Sequence, residues 1–177
     1  MDQLKVNVYA DATTLIGLAR IDRLDLLRML VTPILVTQQV WNEVVQGPSR
    51  PGVAELVRAR AENLLLVVDE GDGSAYPRLD EGESTVLSAA VEAGGAVLID
   101  EKRARRLLAT NSVLRGAIAW QSGLLGVLLL AKQRGLVTDV RPILEQLMSQ
   151  GFRVSSELAR TVLHNAGESP SNTDKMG

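Results

Sequence analysis

Apolar residues recur along this chain in two rhythms. Short apolar runs bounded by Gly, Pro or acidic residues predict strands at 4–10, 34–36, 64–68 and 96–99, the one at 64–68 buried, with another near 115–119. Longer stretches with apolar positions three and four apart predict helices at 12–19, 21–30, 53–61, 83–93, 102–109, 124–134, 140–149 and 156–165. A further helix runs from Thr37, a suitable N-cap, to residue 46. Gly47-Pro48-Ser49-Arg50-Pro51-Gly52 breaks the chain, and residues 69–83 form an acidic, glycine-containing irregular stretch.

Short strands alternating with helices imply an α/β domain. The length of 177 residues and 19.1 kDa fits one such domain, taken as residues 1–167, with a polar, flexible tail over 168–177 and fraying expected from Ala166. The most apolar window, 113–131, is long enough to span a bilayer, but Arg115, Gln121, Ser122 and its glycines divide it into a strand and a buried helix. The N-terminus alternates polar and apolar residues, unlike a signal peptide. A cytoplasmic protein without a membrane partner is the expectation.

Composition narrows the chemistry. There is no cysteine, and His164 is the single histidine, so thiolate sites and paired imidazoles are excluded. Carboxylates remain. Asp11 and Asp100 each end an apolar run, while Glu43 and Glu83 interrupt apolar helical patterns. Four such groups gathered at one sheet edge would repel one another unless cations sat among them. All-oxygen ligation suits Mg²⁺ or Mn²⁺, and two such ions serve phosphodiester cleavage. Each acid also has a plain structural reading. Asp11 and Asp100 fit helix caps, Glu43 a solvated face, and Glu83 a helix N-terminus favoured by the dipole. Spacing alone leaves both readings open.

Several segments, in order, resemble the PIN-domain family, VapC-like ribonuclease toxins in particular. Asp11-Ala12-Thr13-Thr14-Leu15-Ile16 is similar to that family's opening, with Thr14 at a position usually held by Pro. Val40-Trp41-Asn42-Glu43-Val44, Gly82-Glu83-Ser84 and Leu98-Ile99-Asp100-Glu101 resemble its later acidic blocks. Gly126-Val127-Leu128-Leu129-Leu130-Ala131-Lys132 and Gly151-Phe152-Arg153-Val154-Ser155 resemble its C-terminal helices, and Gly123-Leu124-Leu125-Gly126 departs from the usual Gly-Thr-x-Gly.

The resemblance implies a three-layer α/β/α fold with a small, mostly parallel sheet and additional C-terminal helices. It implies a metal-dependent endoribonuclease, often the toxin of a toxin–antitoxin pair, with an antitoxin as partner and a homodimer as assembly. Asp11, Glu43, Glu83 and Asp100 become the metal-binding catalytic carboxylates, with Thr13 and Glu101 supporting them. Two rivals stand beside it. One is a catalytically idle PIN-like module binding RNA or protein. The other is a phosphoacceptor role for Asp11, which the lack of a neighbouring acid at Ala12 and Thr13 disfavours.

The net charge of −2 conceals a split. Residues 69–83 carry six acids against Arg78, whereas Lys102, Arg103, Arg105 and Arg106 follow Asp100 closely. Lys102, Arg103 and Arg106 are the RNA-phosphate candidates, Arg103 and Arg106 sharing a face at helical spacing. A solvated helix face is the alternative. Trp41 and Trp120 are expected in the core or an interface, and His164 has no assigned role.

Overall fold

Runs of Val, Ile and Leu too short for a helix pair side by side, with helical segments between them supplying the crossovers. The computed structural model describes residues 6–30, 33–47, 50–100 and 102–168, Arg103 by its backbone alone. Its strands are β1 (Val8–Ala10), β2 (Ile34–Thr37), β3 (Leu65–Val68), β4 (Ala96–Leu98) and β5 (Gln121–Ser122). All pair in parallel, in the order β3-β2-β1-β4-β5. The chain therefore builds outward from β1 to β3, then returns to add β4 and β5 on the other side. Helices cover both faces, giving the expected three-layer α/β/α arrangement, with Val8, Tyr9, Ile34, Val36, Val97 and Leu98 buried between the layers.

The helices are α1 (Ala12–Arg20), α2 (Gln38–Val44), α3 (Val53–Ala61), α4 (Glu81–Ala93), α5 (Lys102–Thr110), α6 (Ser112–Ala117), α7 (Leu124–Gln133), α8 (Arg141–Ser149) and α9 (Ser156–Asn165). Thr37 caps α2 as expected, accepting from the Val40 amide at 3.4 Å. The stripe at 21–30 becomes a 3-10 segment over Leu24–Leu30. Helix α4 starts two residues earlier than its apolar pattern. Asp80 caps it and Glu83 answers in a capping box, so polar residues supply its first turn.

Three expectations are corrected. Residues 115–117 of the strand expected near 115–119 lie instead in α6, because the Asn111 side chain accepts from the amides of Val113 and Leu114 and starts a helix. The fifth strand comes later and is only two residues long. Segment 64–68 is not a fully buried strand, since β3 lies at the sheet edge and leaves Leu66 38% exposed. Fraying does not begin at Ala166. The Glu168 carboxylate accepts from Lys132 and from the amides of Val140 and Arg141, fastening the residues just after α9 to the start of α8. Residues 4–5 of the first expected strand and 169–177 of the tail lie outside the described residues. No described helix is long and apolar enough to cross a membrane.

Candidate active site

Strands β1 and β4 are neighbours in register, Ala10 opposite Leu98. The chain reverses its direction of growth between them, and open parallel sheets bind ligands in the crevice at such a switch point. The residues leaving these two strands are Asp11 and, one position beyond Ile99, Asp100. The Asp11 amide donates to the Leu98 carbonyl at 2.9 Å, continuing the ladder past the strand.

Asp11 is 3% exposed. Its Oδ1 accepts from the Thr14 amide at 2.8 Å, capping α1, and its Oδ2 accepts from the Asp100 amide at 2.9 Å. The structural role open from the sequence is therefore filled, and one carboxylate ties two strand ends together. Burial pushes the acid from its ordinary 3.8 up to about 6, against the pull of those two amides, and the Asp100 charge adds to the rise. The Thr14 hydroxyl beside it is buried, forms no hydrogen bond of standard geometry, and still adds a weak downward pull on the Asp11 pKa.

Asp100 is half-buried, and burial raises its pKa as well, with the Leu124 amide and the Arg105 charge opposing. Its Oδ2 accepts from the Leu124 amide at 3.2 Å, so Asp100 caps α7, whose own N-cap is Gly123. Glycine is required there by proximity and not by torsion, because φ is −120°. A Cβ on Gly123 would stand far inside van der Waals contact of Asp100 Oδ1. The hydroxyl absent from Gly123-Leu124-Leu125-Gly126 thus leaves a helix start capped from the neighbouring strand end.

Glu43 and Glu83 gather elsewhere on the same rim. Glu43 lies at the surface in the last turn of α2, its carboxyl partly shielded. A Cβ on Gly82 would come 3.0 Å from Glu43 Oε2, so Glu43 sits against the first turn of α4. Burial raises its pKa first, and the nearby Asp80 charge raises it further. Glu83 is buried, its Oε2 accepting from the Asp80 amide at 3.3 Å. The structure thus brings together Asp11 with Asp100, and Glu43 with Gly82 next to Glu83. Among the described residues no three acids are close enough to hold one metal ion.

The remaining candidates divide. Thr13 is exposed and shares a cavity wall with Asp100. Lys102 and Arg106 are exposed on α5, while Glu101 and the Arg103 side chain lie outside the described residues. Sequence reasoning missed Arg105, whose charge acts on Asp100 and which lines the same cavity. Its signal is the burial of Ala104 and Leu108, one helical turn apart, which fixes the rotation of α5 and turns the position after Ala104 to that side. Trp41 is buried with the Arg60 guanidinium 4.8 Å from its ring centre, but Trp120 is 37% exposed. His164 is exposed on α9.

The cavity opens beside Asp100 with a volume of about 570 Å³. It runs between α1, the start of α7 and the C-terminal helices α8 and α9. A family model described as a PIN domain matches residues 7–168. No curated protein and no solved structure matches the chain.

Proposed function

The chain belongs to the PIN-domain family, whose members are generally nucleases, and from that footing we propose that it hydrolyses phosphodiester bonds of RNA with Mg²⁺ or Mn²⁺. The observation that supports this most is the Asp11–Asp100 pair at the switch point between β1 and β4. Asp11 is a buried acid whose charge is opposed by burial and by Asp100, and its hydrogen-bond donors are backbone amides. Such a pair calls for a hard cation, and an all-oxygen donor set suits Mg²⁺ or Mn²⁺. Asp11 and Asp100 would hold it, and Glu43 and Glu83, gathered apart from them at the first turn of α4, would hold a second such ion. When bound, the cation would polarise the scissile phosphate and ease ionisation of the attacking water.

The chain's own groups do the positioning. The Thr14 and Asp100 amides fix both Asp11 oxygens, leaving each a further lone pair as an acceptor. The Leu124 amide fixes Asp100, and Arg105 brings positive charge to the same mouth for a substrate phosphate. Incubation of single-stranded RNA with the protein in Mn²⁺ tests the reading. Cleavage is expected for the wild type and not for Asp11→Asn or Asp100→Asn, and cleavage persisting undiminished in EDTA would refute the metal role.

The finer reading is a VapC-like toxin, restrained by an antitoxin and acting in the cytoplasm as a homodimer. Growth arrest on induced expression, relieved by Asp100→Asn, is the expected result.

A further inference from the structure

The cavity beside Asp100 extends well past the carboxylates, and its far wall has no part in holding a cation. That wall is the turn after α8 together with α9. Phe152, the single phenylalanine of the chain, is half-buried there. Its ring lies 3.7 Å from where a Cβ on Gly17 of α1 would be. The charged residues of the lining are Arg20, Arg105 and Arg153 against the single acid Asp100, so the cavity favours an anion. All three arginines are exposed at the rim, and Arg20 also donates to the Gln150 carbonyl at 3.2 Å. Thr161 and Asn165 of α9 add donors and acceptors to an otherwise mainly apolar lining. The volume falls within the range of ligand pockets, about 300–1,000 Å³.

An apolar, aromatic-lined hollow with a basic rim matches the needs of an unpaired nucleotide: a base to stack and phosphates to neutralise. A base within a duplex keeps both faces stacked on its neighbours and cannot enter. We propose that the cavity seats one nucleotide of a single-stranded RNA beside the bond to be cut, its base on Phe152 and its flanking phosphates at Arg105 and Arg153. The C-terminal helices would then select the substrate while the strand ends cut it. This rests on the nuclease reading of the Asp11–Asp100 pair.

The test is metal-free, so that the two readings fail separately. Fluorescein-labelled hexauridylate and hexaadenylate are titrated in EDTA and followed by anisotropy. The wild type should bind at least one of them. Phe152→Leu should weaken binding about tenfold, as loss of one base–aromatic stack implies, and Phe152→Tyr should restore it. Arg105→Gln and Arg153→Gln, both at exposed positions, should each reduce the salt dependence of log K by about 0.7. A blunt duplex of matching length should show no dependence on Phe152. Should Phe152→Leu melt early, the two rim variants carry the test. Binding that none of these variants alters would overturn the proposal, as would failure of the wild type to bind either oligomer. Intact, Phe152-dependent binding without cleavage in Mn²⁺ would count against the nuclease reading alone.

Discussion

A carboxylate that is 3% exposed and bonded by backbone amides carries its charge against the preference of its surroundings, and Asp11 is such a group. Folded, it keeps its proton up to about pH 6; unfolded, only to about 3.8. Between those values the native state holds the extra proton. The stability this group contributes is therefore full below the unfolded value and is lost as pH rises through about 6. Two units correspond to about 3 kcal/mol. Urea unfolding in EDTA from pH 4 to 7 should show the wild type losing roughly that much relative to Asp11→Asn, and parallel curves would contradict the assignment. Both strand-end acids were legible in the sequence, because an acid directly after a short apolar run has few places to go in a parallel sheet. Arg105 was not, because four basic residues within one turn and a half look alike until Ala104 and Leu108 fix the helix rotation. The cap role of Asp11 and its place at the crevice also turned out not to be alternatives: one oxygen serves each strand end.

Among the elements, α7 and α4 carry the site through their first turns. Asp100 caps α7 only because Gly123 leaves room, so Gly123→Ala should force the carboxylate aside. Overpacking of this kind costs about 1–3 kcal/mol, and RNA cleavage should fall together with the melting temperature. If Gly123→Ala cleaves RNA at the wild-type rate, the contact does not position Asp100. At α4, Asp80→Ala removes the capping box and should cost about 1 kcal/mol in chemical denaturation. The same change removes a negative charge beside Glu43, whose pKa should drop, as side-chain carbon NMR titration would report. The apolar pattern located α3 and α9 at their observed bounds, since α3 buries Val53, Leu56 and Ala59 as a stripe and α9 starts at its Ser155 cap and buries Val162 and Leu163. It misplaced the segment before β5, where residues 115–119 read as a strand. There a single Asn111 cap outweighs β propensity, and the resulting α6 buries none of its residues.

At the scale of the whole molecule, the order β3-β2-β1-β4-β5 is what turns two acids 89 residues apart into neighbours. The pattern of strands and helices announced an α/β domain, but strand order is set by crossovers that periodicity does not record. The net charge of −2 was equally uninformative, because it does not record that three of the nineteen basic residues, Arg20, Arg105 and Arg153, rim the cavity that contains Asp100. A cation bound at the strand ends would stabilise the native state by mass action. Mn²⁺ at a hundred times its dissociation constant should add about 2.7 kcal/mol, an increment that Asp11→Asn abolishes. The most direct measurement is the anomalous scattering of Mn²⁺ soaked into crystals of the protein. A cation site at these strand ends predicts a peak in the crevice between β1 and β4, against the carboxylates of Asp11 and Asp100. A peak remote from Asp11 and Asp100, or none at saturating Mn²⁺, would contradict it.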